Sequence, residues 1–190
     1  MPLLQAIPHA SQRTEPWANG AGTTTVILRE PDTAAWRVRV SVARVDREGP
    51  FSELPDTRRT LVPLDAPMIL RFGDGRELRS ARFGTLQFDG APAPVGLLPE
   101  GPSRDFNLML RGDARGELLA RTLVNSMLLP GQAGVRWLVY LDSGHAVIRA
   151  AAAGDVVLNP RDAALLTSEP GAHGVQIEGA GEIVLVKLYA

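Results

Sequence analysis

The stretch Trp36-Arg37-Val38-Arg39-Val40-Ser41-Val42-Ala43 sets the fold class. In an extended chain Trp36, Val38, Val40 and Val42 fall on one side, and Arg37, Arg39, Ser41 and Ala43 on the other. A period of two carried by β-branched valines is a strand with one apolar face. On either side of it, residues 23–29 read as the strand before and 59–64 as one after. Residues 68–72, 77–83 and 85–88 follow, divided by Gly73-Asp74-Gly75 and Gly84; Asp74-Gly75 is a hairpin signal. Residues 90–102 are loose and proline-rich, and 105–111 alternate again. Residues 116–129 are ambiguous, since 117–121 fit either a helical turn or the start of a strand. Near the C-terminus, 137–141 and 146–150 read as strands flanking a turn at Asp142-Ser143-Gly144-His145. Residues 155–158, 163–167, 175–177 and 183–189 add four more. Turn signals about every 8–12 residues mark an all-β sandwich or barrel. About a dozen strands exceed one small barrel, so two fused β-barrel modules are expected.

Composition narrows the function classes. The chain has 190 residues and no cysteine, which excludes disulfides, thiolate metal sites and a cysteine nucleophile. Twenty basic and 21 acidic residues give a net charge of −1, with no electrostatic footprint for nucleic acid or an anionic membrane. Nineteen glycines and 15 prolines favour short strands and turns over long helices. Lys187 is the one lysine, so an anion site elsewhere must use arginine forks or backbone amides. The first seven residues lack the pattern of a secretory signal, and no apolar run approaches ~20 residues. The expected location is the cytoplasm.

No nucleophile elbow, phosphate loop or dinucleotide fingerprint is present. His9, His145 and His173 are each alone, whereas a catalytic metal needs about three converging ligands. The segment from Gly154 to Pro160 and on to Leu165 resembles the second signature of the cupin superfamily. Gly154 and Pro160 keep its spacing, but Asp162 stands at the second glycine and Leu165 at the metal-binding histidine. The resemblance implies the cupin barrel without its metal, and no cofactor is expected.

Three further stretches extend the likeness. They are Trp17-Ala18-Asn19-Gly20-Ala21-Gly22-Thr23-Thr24, then Gly49-Pro50-Phe51-Ser52 with Arg59, and Asp105-Phe106-Asn107-Leu108-Met109. In this order they are similar to the motifs of the HutD/Ves family of cupin-like proteins. The likeness carries motif support from Trp17 to Arg111. It implies an all-β bicupin, two fused jelly-roll barrels forming a single 1–190 unit. Its approximate halves are 1–100 and 101–190, with strands free to exchange between the barrels. It further implies a metal-free protein that binds a small anionic metabolite and acts as a regulator or sensor in histidine or other amino-acid catabolism. Urocanate and the formyl- or formimino-glutamates are the ligands it points to. A metal-independent isomerase and a non-catalytic scaffold are the alternatives, no catalytic residue is assigned, and a homodimer is left open.

The residues themselves support a site while leaving other readings open. Asp105 and Asn107 share one strand face, where unpaired polar groups are costly; they either close a turn or face a ligand. Asn19, Gly20 and Gly22 make either a tight loop or a close backbone approach to a ligand. Ser41 and Arg39 lie on a face that is either solvated or turned into a lumen. Arg59 offers a fork to a carboxylate, either a ligand's or a neighbouring acid's. Trp17 is a pocket wall or a barrel plug, and Phe51 is most simply a core residue. Trp17, Asn19, Gly20, Gly22, Ser41, Arg59, Asp105 and Asn107 are expected to converge on one cavity, with Asp105 orienting its neighbours.

Overall fold

The computed structural model describes residues 3–17, 22–150, 154–168 and 174–190. Among these, the one helical element is a 3-10 turn at His9–Ser11; all other regular structure is antiparallel strand. The chain divides into two compact units, Arg13–Ala114 and Met1–Gln12 with Arg115–Ala190.

The strands in chain order begin with β1 (Leu3–Ile7), which belongs to the second of these units, then β2 (Arg13–Pro16), β3 (Gly22–Glu30), β4 (Val38–Val45) and β5 (Gly49–Pro50). Next come β6 (Thr57–Pro63), β7 (Met68–Arg71), β8 (Glu77–Ser80), β9 (Leu86–Asp89), β10 (Val95–Leu97) and β11 (Ser103–Arg111). Within Arg13–Ala114 they form two sheets, ordered β2-β3-β4-β11-β6-β9 and β5-β10-β7-β8. The hairpin at Asp74-Gly75 joins β7 to β8, with Gly75 at φ 87° and the Arg76 amide donating to Asp74 Oδ1. β10 arises inside the proline-rich stretch, and β1, β2 and β5 are further strands that alternation does not reveal.

Alternation on β4 gives the larger sheet two distinct faces. Val38, Val40 and Val42 pair across to Leu110, Leu108 and Phe106 on β11, and all six are buried. Burying each such side chain contributes about 1.5–3 kcal/mol. The opposite face carries Arg39, Ser41 and Ala43 opposite Met109, Asn107 and Asp105. On that side Leu61, Leu86 and Phe88 join a core with Met68, Leu70 and Phe72 from β7 and its turn.

The other unit contains β12 (Arg115–Leu129), β13 (Val135–Arg149), β14 (Val156–Leu158), β15 (Ala163–Thr167) and β16 (Val175–Tyr189). Its sheet runs β1-β15-β13-β16-β12, with β14 also on β13. Residues 116–129, ambiguous in sequence, are therefore strand throughout. Two expectations are corrected. The hairpin at residues 142–145 does not exist: β13 runs straight through it, with a bulge between Leu141 and Ser143. Residues 175–177 and 183–189 are likewise one strand. Glycines mark the places where the two backbones approach closely: Gly144 sits opposite Gly181, and Gly179 opposite Ala146.

The cupin-like segment enters β15. Asp162 accepts from the backbone amides of His9 and Asn159 and so braces the turn before the strand. Leu165 is buried on β15, paired with Gln5 and Leu138.

Candidate ligand-binding site

Within Arg13–Ala114 the polar face of β4, β11 and β6 opens on a cavity of about 410 Å³. Arg39, Ser41, Asn107, Met109 and Arg59 form its floor, and Phe51, Leu54, Trp17 and Thr24 its walls. That volume is in the range of small-ligand sites.

Strand register explains why these side chains meet. Asn107 on β11 is opposite Ser41 on β4 and Leu61 on β6; Met109 is opposite Arg39 and Arg59. Arg59 in turn pairs with Phe88 on β9. The Arg59 guanidinium is 5.0 Å from the ring centres of both Phe51 and Phe88, so aromatic faces hold the cation on two sides. Phe51 packs against the core of this unit, as expected, and is a cavity wall as well. Gly96 on β10 makes room for it, since a methyl there would lie 2.6 Å from the ring.

One relay of hydrogen bonds crosses the floor. Arg59 Nη2 donates to Asn107 Oδ1 at 3.1 Å, and Asn107 Nδ2 donates to Asp105 Oδ1 at 2.6 Å. Asp105 is fully buried and does not line the cavity, so Asn107 stands between it and any ligand. Burial pushes the Asp105 carboxyl up to about 7, although the Arg59 charge and the Asn107 amide pull the other way. Burial likewise lowers Arg59 to about 10, which leaves it charged at neutral pH.

The arrangement leaves polar atoms unsatisfied. Arg59 Nε and Nη1, Ser41 Oγ, Arg39 Nε and Asp105 Oδ2 are buried without a hydrogen-bond partner. Native proteins rarely leave several such atoms in one place, each costing about 1–3 kcal/mol. Four of the five belong to residues that line the cavity, and those of Arg59 and Arg39 are N–H donors.

Of the residues expected to form a site, Trp17, Ser41, Arg59 and Asn107 line this cavity, and Asp105 supports it from behind. Trp17 Nε1 donates to Thr24 Oγ1 at 2.7 Å, and its backbone amide donates to the Gly22 carbonyl. Gly22 is not on the cavity wall; it lets the chain pass Arg44, whose carbonyl oxygen would be 2.0 Å from a methyl at this position. Asn19 and Gly20 lie outside the described residues. Arg59 bonds an amide and reaches a neighbouring acid only through it. Leu54 carries no signal in the sequence; Thr24 and Met109 end two of the motif stretches, and Met109 shares the strand face of Asn107, but nothing in an apolar or threonine position distinguishes a cavity wall from a core.

Among the described residues, the donors present do not fit a cupin metal. Leu165 occupies the signature's ligand position, and among the described residues no three His, Asp or Glu side chains come together. His145 is exposed on β13, and His173 lies outside the described residues.

The antiparallel all-β chain has a cupin-like fold. The model of the HutD family matches residues 9–185, and the chain belongs to that family. It is 32% identical over 99 residues to Protein Ves of Cronobacter sakazakii (strain ATCC BAA-894), a match covering 51% of this chain and 55% of that one. The match thus spans about half the length of that curated relative. A conserved protein of unknown function from Pseudomonas aeruginosa PAO1 shares the fold at a TM-score of 0.89 and 22% identity, covering 98% of this chain and 99% of that one. HutD from Pseudomonas fluorescens SBW25, solved in a formate condition, superposes at 0.78 with 19% identity over 98% and 100% of the two chains. The bacterial pirin YhhW of Escherichia coli, in complex with nickel(II), superposes at 0.72 with 10% identity over 100% and 99%.

Proposed function

We propose that the chain is a metal-free, cupin-like binding protein for a small carboxylate metabolite and acts as a regulator or sensor in amino-acid catabolism. In this reading its two units are two fused cupin-like barrels working in the cytoplasm, and the ligand sits in the cavity of the Arg13–Ala114 unit. The observation that carries the reading is Arg59, 5% exposed yet with two donor atoms lacking any acceptor. A carboxylate supplies acceptors to a guanidinium at low desolvation cost, because the cation is already buried. Ser41 Oγ adds a neutral donor on the same floor. Urocanate and the formyl- or formimino-glutamates are the candidate ligands in this reading, which extends the chain's membership of the HutD family to a part in histidine utilisation.

An isomerase using Asp105 as proton acceptor is the weaker reading. Asp105 does not reach the cavity, so a proton would have to pass through the Asn107 amide.

Thermal unfolding with urocanate, formiminoglutamate and acetate, each with and without zinc or nickel, tests the proposal. A ligand at 100 times its Kd adds about 2.7 kcal/mol and raises the Tm visibly. Stabilisation by a carboxylate, lost in Arg59→Met, is the expected result. Stabilisation by metal alone, or no response to any carboxylate, overturns the proposal.

A further inference from the structure

We infer that β12 is the contact strand of a homodimer, pairing antiparallel with β12 of a second copy about a two-fold axis at Leu119. β12 ends its sheet, and among the described residues no strand pairs with its other edge. A free edge is a template for another chain, and proteins blunt such edges with short strands, bulges, prolines or lysines. β1, at the opposite end of the sheet, has 5 residues. β12 has 15, without proline or lysine, and pairs with β16 without a bulge. Of the five large apolar side chains exposed among the described residues, Leu119, Val124 and Leu128 lie on this strand.

Leu119 marks where a covering strand is missing. It continues a cross-strand row that runs from Ala164 through Val139 to Leu185, all three within the core of this unit. The row then ends in solvent, with Leu119 53% exposed. A strand laid along β12 extends the row and takes that apolar surface out of water.

The charges on the same face select a second copy as the occupant. Glu117 and Arg121 flank Leu119 on either side, and both are exposed. In an antiparallel pair about a two-fold axis, the central residue meets itself, and residues equally far on either side meet each other. An axis at Leu119 sets Leu119 against the partner's Leu119 and forms the pair of Glu117 with the partner's Arg121 twice. An axis at Glu117 or Arg121 sets like charges opposite, and one at Leu118 sets Arg115 against the partner's Arg121. Both charges are available. Arg121 makes one hydrogen bond among the described residues, at 3.4 Å to the Thr122 carbonyl oxygen, and Glu117 gives one oxygen to the Tyr189 hydroxyl. The strand is regular across this stretch; its residue of positive φ, Asn125 at 62°, lies beyond it.

The chain has no cysteine, so a single introduced one reports the register. Under mild oxidation Leu119→Cys should give a disulfide-linked dimer, since directly opposed residues stand about 4.5–5.5 Å apart between Cα atoms. Thr122→Cys should not, because an axis at Leu119 places the two copies of that position about 20 Å apart. Sedimentation of the unmodified protein at about 100 μM should show a dimer, since a micromolar complex is well populated there. Arg121→Glu should weaken it at least about tenfold, and adding Glu117→Arg to that variant should restore it, which also shows that the swapped chain folds. A monomer at that concentration overturns the proposal. So does a dimer indifferent to Arg121→Glu, or one that cross-links through Thr122→Cys and not through Leu119→Cys.

Discussion

Asp105 and Arg59 are joined by a single amide, Asn107, whose Nδ2 donates to the carboxylate and whose Oδ1 accepts from the guanidinium. Three buried polar side chains are thereby linked in series on one face of β11 and β6. The amide suits that middle place because it offers an N–H to the acid and a carbonyl oxygen to the guanidinium at once.

Asn107→Ala therefore removes both bonds of this relay, together with a longer one to the Asp105 carbonyl oxygen at 3.4 Å, and takes a partner from two buried polar side chains. The expected loss is about 2–3 kcal/mol of stability, read as a lower urea midpoint with the slope unchanged. A loss within experimental error would mean that water replaces the amide.

Asp105 makes stability depend on pH in a direction unusual for a carboxylate. Its folded pKa, about 7, stands above the ordinary unfolded value of about 3.9. Between those values the folded state holds the extra proton, so this group's contribution falls as pH rises from about 4 to about 7, then levels off. Asp105→Asn removes that slope. Relative to the unmodified protein the variant should gain about 2–4 kcal/mol between pH 4 and pH 8. Urea unfolding at both pH values measures it, and parallel pH profiles for the two proteins would contradict the assignment.

The same carboxyl links ligand binding to protons. An anion on Arg59 weakens the charge that opposes protonation of Asp105, so its pKa rises further when ligand binds. Binding then takes up a proton at and just above pH 7, and the Kd should grow as pH rises through that range, approaching tenfold per unit at most. Titration calorimetry in buffers of different ionisation enthalpy should report the uptake, and Asp105→Asn should abolish it. Zero uptake with measurable binding would disprove the coupling.

Much of this site is legible in the amino-acid sequence alone. Alternation in residues 36–43 puts Arg39 and Ser41 on one face, and the same rule puts Asp105 with Asn107; the rest requires only that β4 and β11 pair. Arg59 is recognisable as a donor, but its partner is not, because an arginine at a strand end says nothing about which residue of a neighbouring strand will meet it. Phe51 packs against the core as its sequence setting suggests, but its second role as a cavity wall is not readable there, because that depends on what lies opposite, here Gly96 and Arg59. The long strands β13 and β16 look broken along the chain at Gly144, Gly179 and Gly181. A glycine that frees a turn and one that admits a neighbouring backbone are identical in sequence.

Those glycines separate close approach from conformational freedom as a source of stability. Gly181 has φ 148°, and a methyl on it would lie 2.0 Å from the Ser143 carbonyl oxygen, backbone that cannot move without parting β13 from β16. Gly179 has the same relation to the His145 carbonyl oxygen at 2.1 Å. Gly181→Ala thus combines a disfavoured backbone conformation with a clash against main chain at the bulge that follows Leu141. The expected cost is about 3 kcal/mol or more, at the upper end for a single substitution. Gly112→Ala is the control: its φ is also positive, at 59°, but a methyl there meets nothing within 4 Å. That variant should lose only about 1 kcal/mol. Thermal unfolding of the two side by side checks the difference, and equal losses would show that conformation rather than close approach governs the β13–β16 ladder.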